Sequence, residues 1–309
     1  MDDGERSICG LASAFSSLHF AEALDTIDDK LDKFLAELER TCCDTLSPFL
    51  LDHFGNPPGV ELKPDGSKVT ASDVEAERIL SELVATLLPH AAFLGEESAP
   101  CGSQEAQAMF ASELLVVCDP IDGTSNFIAG KRCFYSLIAV CCKIGAQHVP
   151  VAAAVLAPAL DELYITDLTS RAVNRIVLSS RCKEQYAAPK SSGSAPLRVS
   201  SKPLEAGIEL NKAHVQYVND SNFHSGVVAS CLGLSDIAIN QSSIWDVASP
   251  ICFGHYLDIG LHALDNGEHM QGLKTSDFVL ESGAASWKLH RPHVACRPVD
   301  LEKVSELLV

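Results

Sequence analysis

The first part of the chain carries apolar residues at helical spacing. Between residues 27 and 54 they recur every three or four positions, until Gly-Asn-Pro-Pro-Gly at residues 55–59 interrupts the pattern. A second helix is predicted farther along, because Ser72 and Glu75 have the spacing of a capping box just before another apolar series. Residues 1–26 show only a weak apolar pattern, and we interpret them as an N-terminal extension.

Beyond the second helix, the apolar runs shorten to the lengths of β-strands. Residues 92–94 form one short run, and the continuous run at 114–118 is typical of a strand buried on both faces. Residues 135–143 and 149–157 predict two more strands, joined by a turn near Gly145. A sheet flanked by helices is therefore expected in this part of the chain.

The second half is separated from the first by residues 181–196, which are rich in Ser, Pro, Gly and charge and are predicted to form a linker. We accordingly expect two halves, 27–185 and 190–309. The second half is predicted to contain strands at 197–200, 236–240, 278–280 and 293–295, with helices at 226–232, from Asp246 onward and at 301–308. This alternation predicts an α/β (α+β) protein built in layers.

Composition narrows the classes of function. Hydrophobic residues make up 47% of the chain, enough for a sizeable core, while 41 acidic residues against 23 basic ones give a net charge of −18. Such a charge disfavours nucleic acid and anionic membranes as partners, and it suits a site that binds divalent cations.

The chain shows no signal for a membrane or a secretory route. Its most apolar stretch, residues 149–160, contains two prolines and is shorter than the roughly 20 residues that a membrane span requires. The acidic start, with Asp2, Asp3 and Glu5, does not fit a signal or transit peptide. The 12 cysteines include no C-x-x-C pair. We interpret them as thiols in a reducing compartment and expect a cytoplasmic protein.

The strongest chemical signal is Asp-Pro-Ile-Asp-Gly-Thr at residues 119–124, directly after the buried strand. The proline fixes the chain between Asp119 and Asp122, so both carboxylates can face one point, and the glycine allows close backbone approach. Thr124 and Ser125 then open a helical turn whose N–H groups favour an anion. The segment thus offers oxygen ligands for Mg²⁺ and a cradle for phosphate, although alone it could be an ordinary turn.

Other acidic residues follow or begin predicted elements. Glu96 and Glu97 follow a short strand, Asp246 lies at a helix start after a tryptophan, and Asp73 lies in the first turn of a helix. Taken singly, each has an ordinary explanation. Glu96 and Glu97 could lie in a solvated loop, Asp246 could be a helix N-cap, and Asp73 could be an acid favoured by the helix dipole.

Together, Gly-Glu-Glu at 95–97, the segment 119–124 and Trp-Asp at 245–246 resemble the inositol monophosphatase family of metal-dependent, lithium-sensitive phosphomonoesterases. The likeness extends over about residues 30–309 and includes the upstream segment 65–73. It implies a layered α/β/α/β/α sugar-phosphatase fold and a homodimer.

The resemblance also implies roles for individual residues. It implies two or three Mg²⁺ ions. The implied ligands of one ion are Glu96, Asp119 and the Ile121 carbonyl, and those of a second are Asp119, Asp122 and Asp246. Glu97 is implied to lie in an outer shell or at a third ion. The implied phosphate- and substrate-binding residues are Gly123, Thr124, Ser125, Asp246 and Lys63, the last on a loop able to close over the site. The residues implied to orient the attacking water are Asp73, Thr124 and Glu96.

The second half of the sequence does not identify the substrate. Ile239 stands where family members that act on inositol phosphates usually carry Glu. Ser249-Pro250 is similar to bisphosphate nucleotidases, and residues 127–130 resemble either that group or histidinol-phosphate phosphatases. We therefore expect a metal-dependent phosphomonoesterase acting on inositol monophosphate or a similar polyol phosphate. The alternatives are histidinol phosphate, a 3′(2′),5′-bisphosphate nucleotide, and a non-catalytic member that binds metal and a phosphorylated ligand.

Overall fold

A computed structural model describes residues 19–24, 29–100, 102–188, 198–199, 228, 237–240, 242–280, 287–297 and 304. Residues 19–24 are helical, and this helical segment lies within the predicted N-terminal extension. The helices that follow are α1 (Asp29–Thr41), α2 (Ser47–His53), α3 (Ala71–Leu87), α4 (Ser103–Ala111), α5 (Thr124–Ile128) and α6 (Ile244–Leu257). A π-helical turn at Cys42–Leu46 joins α1 to α2, so the helical pattern predicted over 27–54 is confirmed.

The start of α3 differs from its prediction. Thr70, not Ser72, is the N-cap: its Oγ1 accepts a hydrogen bond from the Ser72 backbone N–H at 3.1 Å. The reciprocal bond runs from the Thr70 N–H to Asp73 Oδ2 at 2.8 Å, so Asp73 replaces Glu75 as the acidic member of the capping box. The predicted pair was wrong because Ser72 already lies inside the helix, whereas Thr70 has the extended backbone that an N-cap requires.

A seven-stranded sheet forms the centre of the first half. Its strands follow one another in chain order; the first two are parallel, and all later neighbours are antiparallel. The strands are β3 (Ala92–Gly95), β4 (Leu114–Asp122), β5 (Tyr135–Ile144), β6 (Gln147–Ala157), β7 (Glu162–Asp167), β8 (Ala172–Val177) and β9 (Cys182–Tyr186). A separate hairpin of β1 (Glu61–Leu62) and β2 (Lys68–Val69) precedes α3.

Alternate residues of the central strands point to opposite faces, and both faces are buried. Val116 and Cys118 of β4 pack with the helices α1 and α3, while Leu115 and Val117 pack with α6. This explains the continuous apolar run in the sequence. The linker predicted over 181–196 was wrong at its start, because residues 182–186 pair with β8 as the last strand of the sheet.

The second half adds a four-stranded sheet in the order β10-β11-β13-β12. Its strands are β10 (Arg198–Val199), β11 (Ile237–Asn240), β12 (Gly260–Ala263) and β13 (His293–Cys296). Helix α6 lies between the two sheets, since its buried residues share one core with β4 to β6, Leu261 and Ala295. Among the described residues, the layers are therefore helices, sheet, helix and sheet, which are four of the five layers of the predicted α/β/α/β/α fold.

Three predictions in this half need comment. Helix α6 begins at Ile244, two residues before Asp246, so Pro250 lies inside the helix. The strand predicted at 278–280 is reduced to a single bridge between Phe278 and Leu289. The helices predicted at 226–232 and 301–308 fall outside the described residues except for Val228 and Val304, which are helical. No described helix combines the length and apolar character needed to span a membrane.

Candidate metal and phosphate site

Three aspartates converge where the first sheet meets helix α6. Asp119 and Asp122 lie at the end of β4, where the strand slips in register against β5, and Asp246 lies in the first turn of α6. One carboxylate oxygen from each of the three residues lies within 4.8 Å of the others. Asp119 is 1% exposed and Asp122 is 7% exposed. The register slip lets two residues of one strand face the same point.

The electrostatics of this aspartate cluster favour a bound cation. Burial raises the pKa of Asp119 well above its usual range, and the negative charges of Glu96, Asp122 and Asp246 raise it further. Among the described residues, Asp119 Oδ1 is buried without a hydrogen-bonding partner. Oxygen donors of this kind match the ligand preference of Mg²⁺ and related hard cations, so the residues present fit the implied metal.

Asp246 is held in place by the start of its own helix. The Ser243 backbone N–H donates to Asp246 Oδ2 at 2.8 Å, which closes a capping box between these two residues. Ser243, not Asp246, is therefore the N-cap. Asp246 is the acidic member of the capping box, and its carboxylate also lies near Asp119 and Asp122.

Asp73 and Thr124 join two helices beside the aspartate cluster. Thr124 Oγ1 lies 3.0 Å from Asp73 Oδ1 and 3.1 Å from the Ile121 carbonyl oxygen. Asp73 Oδ2 accepts from the backbone N–H and the hydroxyl of Thr70, at 2.8 and 2.6 Å. Burial raises the pKa of Asp73, although the hydrogen bonds from Thr70 and Thr124 oppose the shift. The sequence-predicted partners Asp73, Thr124 and Ile121 are thus in contact.

Glu96 and Glu97 lie at the same end of the sheet but are paired with a cation of the protein. Lys63 Nζ is 2.7 Å from Glu96 Oε1 and 2.9 Å from Glu97 Oε1. Burial, followed by the charge of Glu96, raises the pKa of Glu97 to about 7. Burial alone would lower the pKa of Lys63, but the two glutamates raise it above its usual range. The ligand role of Glu96 and Glu97 stays a prediction.

The predicted phosphate cradle has the expected backbone. Gly123 has a φ of 88°, and a Cβ there would lie 3.0 Å from the Cys133 carbonyl oxygen. Its own carbonyl accepts from the N–H groups of Asn126 and Phe127, which begins α5. Thr124 and Ser125 occupy the first turn, where backbone N–H groups have no partner within the helix. Their binding of phosphate stays a prediction.

The sequence predictions missed Glu77. This residue is 5% exposed, and its Oε2 accepts from the Glu97 backbone N–H at 2.8 Å. A usable signal exists, because Glu77 follows Asp73 by one helical turn and therefore lies on the same buried face of α3.

Comparison with known proteins gives one family. A family model described as the inositol monophosphatase family matches residues 31–253. Curated relatives include glucose-1-phosphate thymidylyltransferase of Streptomyces griseus, 35% identical over 105 residues that make up 34% of this chain and 37% of that protein. Another is inositol monophosphatase 1 of Saccharomyces cerevisiae, 34% identical over 108 residues, or 33% of this chain and 34% of that protein. The chain therefore spans little more than a third of the length of these relatives.

Solved structures with a similar fold align with most of this chain. The extragenic suppressor protein suhB of Bartonella henselae has a TM-score of 0.62 and 20% identity, covering 89% of this chain and 96% of that one. A protein described as an IMPase/NADP phosphatase, complexed with Mg²⁺ and phosphate, has a TM-score of 0.60 and 17% identity, covering 89% and 94%. At these identities the likeness shows the fold, which confirms the predicted class.

Proposed function

Because the chain belongs to the inositol monophosphatase family, we propose that it is a metal-dependent phosphomonoesterase acting on a small phosphorylated metabolite. The observation that carries the proposal is the convergence of Asp119, Asp122 and Asp246, two of them buried, within 4.8 Å. Buried carboxylates this close together repel one another, and a divalent cation is the partner that would relieve the repulsion. The Asp73–Thr124 pair lies beside this cluster and supplies groups able to hold a water molecule.

The proposed cofactor is Mg²⁺, in two or three sites. Asp119, Asp122 and Asp246 would hold one ion, and Glu96, Asp119 and the Ile121 carbonyl another, with Glu97 nearby for a weaker one. When bound, such ions lower the pKa of a water molecule and stabilise the charge on the leaving oxygen. The structural neighbour complexed with Mg²⁺ and phosphate supports this choice of ion.

The protein's own groups would then orient the water and the phosphate. Thr124 Oγ1, already hydrogen-bonded to Asp73 Oδ1, is placed to accept a proton from the attacking water as its own proton moves to Asp73. The raised pKa of Asp73 favours that transfer. The backbone N–H groups of Gly123, Thr124 and Ser125 would bind the phosphate oxygens.

The proposed substrate is inositol monophosphate or a similar polyol phosphate. The family and the yeast relative's name support this choice. Because residue 239 in β11 is a buried isoleucine, this position supplies no carboxylate for ring hydroxyls. Histidinol phosphate and a bisphosphate nucleotide therefore stay in the test as alternative substrates.

We also propose a cytoplasmic, lithium-sensitive homodimer. The family supports the assembly and the lithium sensitivity. Cys42, Cys43, Cys118 and Cys141 are buried thiols outside any disulfide, which supports a reducing compartment. The net charge of −18 argues against nucleic acid or anionic membrane as partners.

The deciding experiment measures phosphate release from inositol 1-phosphate, histidinol phosphate, adenosine 3′,5′-bisphosphate and fructose 1,6-bisphosphate. Each substrate is assayed with Mg²⁺ and with EDTA. We expect one preferred substrate and loss of its hydrolysis in EDTA. Hydrolysis that survives EDTA would contradict the metal mechanism. No hydrolysis by a protein that still binds Mg²⁺ would favour the non-catalytic alternative.

A further inference from the structure

Glu77 is a buried carboxylate that none of the proposed catalytic steps uses. It lies on α3, one turn beyond Asp73, and its side chain reaches the segment that carries Glu96 and Glu97. A buried charge is costly unless its hydrogen bonds are made and serve the structure. An apolar residue at this helix position would pack at lower cost, so the carboxylate requires a specific explanation.

The end of strand β3 is shaped around this carboxylate. A Cβ at Gly95 would lie 2.3 Å from Glu77 Cδ and Oε2 and 2.7 Å from Oε1, so no other residue fits there while Glu77 stays in place. No positive φ requires a glycine at this position, unlike at Gly123. The glycine therefore provides space for the Glu77 side chain.

Two hydrogen bonds then hold the segment after Gly95, each to a different element. The Glu96 N–H donates to the Cys118 carbonyl of β4 at 3.1 Å, and the Glu97 N–H donates to Glu77 Oε2 at 2.8 Å. Consecutive N–H groups are thus fixed, one by the sheet and one by α3. This arrangement sets the direction in which the Glu96 and Glu97 side chains leave the backbone.

We propose that Glu77 is a positioning residue for the cation site. It holds the backbone of the Glu96–Glu97 segment through the Glu97 N–H and contacts neither the metal nor the substrate. The inference rests on the proposed function, because it assumes that Glu96 and Glu97 help to bind Mg²⁺. Partners of this kind typically change metal affinity by 10- to 100-fold when they are removed.

The test compares two substitutions by direct calorimetric titration of the 309-residue chain with Mg²⁺. Glu77→Ala removes the acceptor, and we expect Mg²⁺ affinity to fall by about 10- to 100-fold. Glu77→Gln keeps an acceptor oxygen at the same reach, and we expect its affinity to stay near the wild-type value. Glu82→Gln on the same helix is the matched control, because Glu82 is exposed and pairs with Arg78 at the surface of α3. The Mg²⁺ affinity of this variant should not change.

Thermal unfolding in EDTA separates positioning from a general loss of structure. A Glu77→Ala protein that melts cooperatively in EDTA and binds Mg²⁺ weakly supports the proposal. Affinity equal to wild type in Glu77→Ala, or an equal loss in Glu77→Gln, would overturn it. The titration needs no turnover, so a protein that binds Mg²⁺ but hydrolyses no substrate would contradict the proposed function and still decide the role of Glu77.

Discussion

Asp122 is 7% exposed, and one of its carboxylate oxygens lies within 4.8 Å of carboxylate oxygens of Asp119 and Asp246. Asp122→Asn keeps the shape of the side chain but removes one of the charges that a divalent cation would neutralise. We expect phosphate release in Mg²⁺ to fall by more than about 100-fold, beyond what loss of an outer-shell partner costs. The matched control is Asp52→Asn, which makes the same change at an exposed position on α2. Activity that survives Asp122→Asn would contradict the assignment of this metal site.

The hydroxyl of Thr124 lies between Asp73 Oδ1 and the Ile121 carbonyl. Thr124→Val replaces the hydroxyl with a methyl group of similar size, so it removes the proton path and leaves the packing. We expect kcat to fall by about 10²-fold or more, the usual range for loss of acid–base assistance. Thr124→Ser keeps the hydroxyl and should retain most of the activity. Equal kcat values for the two variants would show that the hydroxyl is not used.

For single residues, the clustered aspartates were easier to predict from the sequence than the contacts of the residues around them. On its own, the segment 119–124 could be an ordinary turn. Its resemblance to the inositol monophosphatase family, together with Trp-Asp at 245–246, is what identified Asp119 and Asp122. The Lys63 ion pair with Glu96 and Glu97 depends on where a hairpin folds in space, which no local pattern contains. Glu77 was missed because a glutamate in an amphipathic helix ordinarily faces solvent.

Among the elements, the turn from β4 into α5 depends on one glycine. Gly123 combines a φ of 88° with a close approach to the Cys133 carbonyl. Gly123→Ala should lower the free energy of unfolding by more than the roughly 1 to 2 kcal/mol that a left-handed residue costs alone. Gly145→Ala is the control, since Gly145 has a φ of 61° with no atom within 4 Å of a Cβ. Urea denaturation measures both, and equal losses would show that the Cys133 contact is harmless.

The long apolar strands could be predicted from the sequence. The shorter strands β7, β8 and β12, which are largely buried, and the edge strand β9 were not predicted. The strands β5 and β6 match their predicted positions closely, whereas β4 continues past its predicted end at residue 118 and includes Asp119 and Asp122. Strand β9 reads Cys-Lys-Glu-Gln-Tyr with four exposed residues, so its composition resembles a linker. It is a strand because its backbone pairs with β8, a contact that its own side chains do not encode.

For the whole molecule, metal binding and stability should be linked. The three clustered aspartates come from both halves of the chain, and their mutual repulsion opposes the packing of α6 against the first sheet. Mg²⁺ at 100 times its Kd should stabilise the fold by about 2.7 kcal/mol, seen as a higher Tm in Mg²⁺ than in EDTA. Asp122→Asn should show a smaller shift. An unchanged Tm in wild-type protein at saturating Mg²⁺ would contradict the site.

Acid should destabilise the second half through its histidines. Burial lowers the pKa of His255 and of His269 to about 4, with neighbouring histidines adding to the shift at His269. The unfolded chain therefore binds more protons below pH 6.5, and stability is lost as the pH falls from about 6.5 toward 4. Between pH 7.5 and pH 5 each histidine should account for about 2 kcal/mol. His269→Gln should reduce this slope in urea denaturation, whereas His90→Gln, at an exposed site, should not.

The order of the strands also suggests an order of folding. From β4 to β9, every strand pairs with its neighbour in sequence, so this sheet closes through short loops. The sheet of β10 to β13 joins strands that are far apart in the chain, and we expect it to form later. Asp119 and Asp122 belong to the early sheet, while Asp246 arrives with the helix that precedes β12. The proposed metal site is therefore complete only after α6 has packed against the first sheet, so a half-folded chain would lack one of its three aspartates.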